Sequence, residues 1–229
     1  KLYLEDFKNF VESSRNTKSR FKLDWNDRFP CLNEKTASTH FDRHYVYHTA
    51  WAARCLSESK PKEHIDISSS LFFCSIVSAF ISMKYFDYRP PNLGLSGLTE
   101  DSVDLKKLPF ESDSIGSLSC MHVVEHIGLG RYGDEIDYDG DLKAIKELIR
   151  ILKPGGQLLF VVPIGKAQIQ FNAHRIYCFD QIREAFANFR LKNFSLVPDD
   201  AQYGGLVSPA TKEMADNQNY GCGCFWFIK

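Results

Sequence analysis

Residues 115–127 read IGSLSCMHVVEHI, residues 141–156 read DLKAIKELIRILKPGG and residues 157–163 read QLLFVVP. The first run is apolar and ends in a polar, His-rich tip. The second spaces its apolar residues as one face of an α-helix does, and Pro154-Gly155-Gly156 turns the chain into a third, wholly apolar run. Together they predict a β-α-β unit. Strands apolar at consecutive positions are buried on both faces, as in parallel sheets covered by helices. Ligands of such sheets bind outside the carboxyl ends of the strands. Met121–His126 is therefore expected to line a site.

The alternation continues in both directions. Strands are expected at His64–Ile67, Ile81–Asp87, near Leu93–Leu98, Ile115–Cys120, Gln157–Val162, Leu191–Val197 and Cys224–Ile228, with helices at Leu71–Phe80, Asp141–Leu152 and Asp180–Phe189. Upstream, Leu2, Leu4, Phe7, Phe10 and Val11 recur at helix-like spacing, and HFDRHYVYHTAWAARCL over 40–56 predicts a second helix ended by Lys60-Pro61. The expected organisation is a helical extension or cover over 1–58 and one doubly wound, mostly parallel α/β domain over 59–229, with right-handed crossovers placing helices on both faces.

CMHVVEHIGLGRYGD (120–134), the helix end LKPGG (152–156) and FNAHRIY (171–177) carry a resemblance. Over roughly residues 40–229 the chain resembles class I S-adenosylmethionine-dependent methyltransferases, and more narrowly a methyltransferase-like family known as a domain of unknown function. The resemblance implies a seven-stranded Rossmann-like sheet with its last strand antiparallel, and S-adenosylmethionine as cofactor. It implies methyl transfer to a hydroxyl or amine of a small polar acceptor. Its association with surface polysaccharides makes a sugar or cell-envelope glycan precursor the expected acceptor class, in polysaccharide biosynthesis.

It also implies site residues. Asp66 and the turn Ser68-Ser69-Ser70 stand where the family has an acid and a Gly-rich turn against the methionine part of the cofactor. Asp87 stands where a carboxylate takes the ribose hydroxyls, Tyr88 where a ring faces the adenine, Asp104-Leu105 where the adenine amino group is met, and His122 where the fourth strand tip touches the cofactor. The glycine positions are occupied by Ser68, Ser70 and Phe72. Serine keeps the backbone N–H groups, but its Cβ restricts positive φ and fills space beside a ligand. Asp66 and the serines can equally cap the next helix, and Asp87 can serve as a turn residue before Arg89-Pro90. A non-catalytic interaction module is accordingly the second functional reading. A nicotinamide-dependent oxidoreductase is disfavoured, since no G-x-G-x-x-G opens the first helix.

At the tip of the fourth strand, His126 is the expected general base, with Glu125 or a backbone carbonyl fixing its tautomer; His122 and His174 are the next candidates. An imidazole ordinarily titrates near neutral pH, which suits proton removal from a hydroxyl. His44, His48, Tyr45 and Tyr47 are expected to form an aromatic packing patch on the 40–56 helix. Asp137, Asp139 and Asp141 lack the later Glu of a calcium loop and are expected to cap the helix that follows.

The 229 residues are 44% hydrophobic, enough for a full core, and the net charge of −1 from scattered residues gives no footprint for nucleic acid. KLYLEDFKNF is charged and amphipathic rather than signal-like, so a soluble, cytoplasmic protein is expected. The first residue is Lys1, and a chain trimmed or cut from something longer is expected. Among seven cysteines only Cys222 and Cys224 are close together. Both point to one face of a strand, and packing rather than metal is expected there. No metal site is assigned from the sequence.

Overall fold

A computed structural model describes residues 2–15, 18 and 20–229. The chain divides into compact units at 1–41 and 42–229. In the first, helix α1 (Leu2–Ser14) carries Tyr3 and Phe7, whose rings lie 5.8 and 5.0 Å from that of Trp25. The expected boundary at 58/59 is replaced by one at 41/42. Helix α2 (Arg43–Ser59) buries Trp51, Ala52, Cys55 and Leu56 in the core of the second unit, so it is a layer of that unit.

The second unit is built on strands β1 (Glu63–Ile67), β2 (Ser82–Asp87), β3 (Leu98–Ser102), β4 (Ile115–Met121), β5 (Leu152–Ile164), β8 (Arg190–Val197) and β9 (Gly221–Ile228). Their order is β3-β2-β1-β4-β5-β9-β8. All pairs from β3 to β5 are parallel, whereas β9 runs antiparallel to both neighbours. A small hairpin, β6 (Gln168–Gln170) and β7 (His174–Ile176), stands apart. The order reverses between β1 and β4, and the carboxyl ends flanking that reversal form the crevice where such sheets hold ligands.

Strand alternation explains the unbroken apolar run of β5. Leu158, Phe160, Val162 and Ile164 join the core beneath helices α4 (Gly140–Ile151), α5 (Phe179–Ala185) and α6 (Lys212–Asp216); Leu159 and Val161 join the other core, beneath α2 and α3 (Leu71–Val77). β9 divides likewise, sending Phe225 and Phe227 to the first core and Cys222, Cys224 and Trp226 to the second. Burying one Phe or Leu is worth about 1.5–3 kcal/mol, so these two strands carry much of the sheet's stability. In α4, Asp141, Ala144, Ile145, Leu148 and Ile151 are buried at helical spacing.

A buried hydrogen-bond chain threads the sheet. Asp66 accepts from Ser119 Oγ; His64 Nε2 and Nδ1 lie 2.8 and 2.7 Å from Ser119 and Ser117 Oγ; Gln157 Nε2 donates to Ser117 (2.8 Å) and Trp226 Nε1 to Gln157 (3.1 Å). One assignment satisfies every link. Ser119 gives its proton to Asp66, so His64 donates from Nε2 and accepts at Nδ1 from Ser117, which accepts from Gln157. Burial lowers the His64 pKa to about 3, consistent with the neutral ring this requires.

Several boundaries differ from expectation. The third strand is Leu98–Ser102 rather than Leu93–Leu98: Gly94 and Gly97 take positive φ, and Leu93 and Leu95 are exposed on the turn they make. Helix α3 ends at Val77, leaving Phe80 on the surface, and α5 ends at Ala185. β5 pairs from Leu152, before the expected start. A step of two residues on β4 (Ile115 to Ser117) matches a step of five on β5 (Leu152 to Gln157), so Lys153–Gly156 loops out of register. Asp139 stands at the N-cap of α4 without a side-chain cap bond. Asp141 instead accepts from Tyr177 (2.9 Å) and pairs with Arg175 (3.6 Å). Among the described residues, no helix is long and apolar enough to cross a membrane.

Candidate functional site

A cleft of about 470 Å³ opens at the carboxyl ends of β1, β2 and β4 and the chain after β3. Of the residues expected to hold cofactor, Ser68, Asp87, Tyr88, Asp104, Leu105 and His122 line it. Tyr45 reaches it from α2, and the loop after β4 adds Tyr132, Asp134 and Glu135.

The turn after β1 keeps a glycine-like backbone without glycine. Ser68 has φ +54°, and its N–H donates to the carbonyl of Phe86 at 2.7 Å. Asp66, Ser69 and Ser70 do not line the cleft. Asp66 is wholly buried and accepts from the N–H of Ser69 at 2.9 Å, while Ser69 Oγ accepts from Met121 N–H at 3.0 Å, joining the turn to β4. Ser70 is the N-cap of α3 without a side-chain cap bond. Burial drives the Asp66 pKa up to about 6 against the opposing bonds from Ser119 and Ser69.

Asp87 ends β2. Its Oδ1 accepts from the Arg89 N–H at 2.7 Å and its Oδ2 from Tyr85 OH at 3.1 Å. Each oxygen retains a further lone pair, so the side chain is oriented yet still able to accept two hydroxyls. Asp104 is exposed, with its Oδ1 taking the N–H of Lys106 at 2.9 Å, and Leu105 is buried beside it.

At β4 the strand ends abruptly. His122 takes φ +57° and a short 3₁₀ turn spans Val124–His126, so the two imidazoles are separated by a kink rather than stacked on a helix. His126 faces the cleft, and its Nδ1 lies 2.7 Å from the carbonyl of Ala173, which only a donor can satisfy. In the neutral ring Nε2 then carries the lone pair, 3.9 Å from Glu125 Oε1. His122 Nδ1 bonds Glu125 Oε1 at 2.8 Å. Burial disfavours the charged His122 ring, but Cys222 and Glu125 outweigh it and hold the pKa up to about 10. The Cys222 thiol is itself pushed well up by burial. The Glu125 carboxylate is therefore the charge that holds the proton on His122. His174 lies outside the cleft lining, with ring centroids 6.4 Å from His126 and 4.9 Å from Tyr220. Its pKa is lowered by burial and by His126.

The expected aromatic patch on α2 is real, but it extends further than α2. His44, Tyr45 and His48 all lie within 5.7 Å of the His122 ring, and His44 stacks on Tyr220 at 4.9 Å. Burial is the main cause lowering the His44 pKa to about 4 and that of His48 to about 3. The ligand atoms of His44, His122 and Cys222 lie within 4.8 Å of one another. The loop after β4 is held by Gly128 at φ +81°, where a Cβ would lie 2.0 Å from the Asp137 carbonyl.

The sheet aligns with the N-methyltransferase NodS of Bradyrhizobium japonicum WM9 in complex with S-adenosyl-L-homocysteine, at 12% identity over 82% of this chain and 87% of that one, TM-score 0.56. The fold is that of the class I methyltransferases. It aligns similarly with the YcgJ protein of Bacillus subtilis, at 15% identity over 80% and 98% of the two chains, TM-score 0.55. The [4+2]-cyclase SpnF aligns at 15% identity over 78% and 80%, TM-score 0.52. Residues 106–197 match the family model described as "Caenorhabditis protein of unknown function, DUF268". No curated protein matches the sequence.

Proposed function

We propose that the chain binds S-adenosylmethionine in this cleft and methylates a hydroxyl or amine of a small polar acceptor. The observation that carries the reading is the convergence of Ser68, Asp87, Asp104-Leu105 and His126, from four successive strand ends, on one cleft. NodS, a relative in fold, is described with S-adenosyl-L-homocysteine bound. SpnF, named as a cyclase, is a reminder that this fold hosts other chemistry. The reading therefore rests on the residues of the cleft.

Those residues fit the cofactor. Asp87 has free lone pairs for a ribose diol, Leu105 and Val103 supply apolar wall, and Ser68 already holds the backbone conformation that glycine provides elsewhere. When bound, S-adenosylmethionine supplies an electrophilic methyl group on a sulfonium. His126 Nε2 accepts the acceptor's hydroxyl proton as the oxygen attacks, and the Ala173 carbonyl stabilises the resulting imidazolium through Nδ1–H. The hydroxyl-bearing Tyr45 and Tyr132 beside polar Asp134 and Glu135 in the lining suit a sugar or glycan precursor. The non-catalytic reading draws on the missing glycines, and the φ of Ser68 weighs against it because the turn survives.

Titration calorimetry with S-adenosylhomocysteine tests the assignment. Asp87 would make two charge-assisted bonds of about 1.5–3 kcal/mol each, so Asp87→Ala is expected to weaken binding at least about tenfold. Unaltered affinity in a folded Asp87→Ala variant removes Asp87 from the site, and no binding by the unmodified chain favours the interaction module.

A further inference from the structure

We infer that His44, His122 and Cys222 form a site for a zinc-class transition-metal ion behind the cleft residue His122. This departs from the packing role that the sequence alone assigns to Cys222. The three residues come from α2, the tip of β4 and the start of β9, and their ligand atoms lie within 4.8 Å of one another. Two imidazoles and a thiolate are the donor set that zinc prefers, and it excludes calcium and magnesium, which take oxygen.

The surroundings are those of a metal ligand rather than of a packed core. His122 Nδ1 is engaged by the buried Glu125 carboxylate at 2.8 Å, leaving Nε2 for the ion. This is the carboxylate–histidine–metal arrangement that fixes a ligating tautomer. That Nε2 is buried, its side chain only 5% exposed, and it makes no hydrogen bond of standard geometry, with the Cys222 side chain the polar group that bears on the ring. Buried polar atoms without partners are uncommon, and an ion supplies what this one lacks. Glu125 Oε2 and His48 Nε2 are likewise buried without partners, and the His48 ring lies 5.1 Å from that of His122. The His44 ring also meets the backbone of Tyr220.

Zinc bond lengths of about 2.0–2.1 Å to nitrogen and 2.3 Å to sulfur put tetrahedral donors roughly 3.3–3.7 Å apart. The observed limit of 4.8 Å closes by about 1 Å, which the half-buried His44 side chain reaches by rotating its own torsions. Three protein ligands leave a fourth position for water, the pattern of open rather than closed zinc sites. Binding releases the protons on the thiol and imidazole.

The test uses the full chain without S-adenosylmethionine, so it is independent of the methyltransferase reading. After loading with zinc and dialysis, elemental analysis is expected to find one ion per chain, and loading with cobalt(II) to give a thiolate-to-cobalt charge-transfer band. Cys222→Ser and His44→Ala, checked for folding by circular dichroism, are each expected to lose stoichiometric binding. Glu125→Gln is expected to weaken affinity about 10–100-fold. Absence of bound ion in the folded unmodified chain overturns the site, as does retention of stoichiometric binding by either folded ligand variant. Should both variants fail to fold, the cobalt spectrum of the unmodified chain decides, with a missing thiolate band refuting the assignment and a present one supporting it.

Discussion

Asp66→Asn isolates the cost of a buried charge beneath the cleft. Asp66 has no exposed surface, and burial raises its pKa from 3.8 to about 6. A carboxyl that is harder to ionise folded than unfolded binds more protons in the native state between those values, so stability is greatest below about 3.8 and falls as pH rises through 6. The roughly two-unit difference corresponds to about 3 kcal/mol. Asparagine removes the titration while keeping an acceptor for the Ser69 N–H and a polar group facing Ser119. Urea unfolding of both proteins from pH 4 to pH 8 cancels the groups they share. The stability of the variant relative to the parent is expected to climb by about 2.4 kcal/mol across that range, on top of a constant offset from the rearranged Ser119 bond. A flat difference, or one moving in the opposite direction, refutes the account of Asp66 as a strained buried acid.

Three further outcomes are expected. His126→Ala lowers turnover by about 10²–10⁴-fold once an acceptor is known, while calorimetry shows S-adenosylhomocysteine binding retained; near-normal turnover removes His126 as the base. Ser68→Gly changes thermal stability by less than about 1 kcal/mol, because relief of the left-handed backbone is offset by chain entropy and by the lost bond to Phe86, whereas Ser68→Val is clearly destabilising. Arg175→Met strips the cation from buried Asp141 and the donor from the Ile127 and Tyr138 carbonyls, at a cost of about 3–5 kcal/mol in chemical denaturation; a loss under 1 kcal/mol contradicts the pairing.

Most of the sheet was legible because its central strands advertise themselves. β5 is apolar at every position from Leu158 to Ile164, β4 sets small serines among Ile115, Leu118, Cys120 and Met121, and α4 repeats its apolar residues at helical spacing, so local windows contain the whole signal. The edge strand β3 lacks such a signal for the converse reason. LTEDS has little apolar content and gains its strand conformation from pairing with β2, while the more apolar NLGL before it is bent by Gly94. Propensity yields there to tertiary context. The β6–β7 hairpin carries no periodic signal, because QIQ and HRI are only three residues each.

The cleft divides along the same line. Asp87, Asp104 and His126 each end a strand or follow one closely, and a strand end at the sheet reversal is readable from sequence once the strands are placed. The buried role of Asp66 was not, since alternation in β1 directs its side chain into the sheet network of Ser119 and His64, which belongs to neighbouring strands. Cys222 and His44 are harder still. They are 178 positions apart and meet only because β9 inserts beside β5 with its cysteines toward the α2 layer, against which the kink at His122 then turns its ring. Each residue taken singly has an ordinary packing explanation. Their convergence on one unpartnered nitrogen follows from strand order, and strand order is a property of the finished sheet that no local window of this sequence encodes.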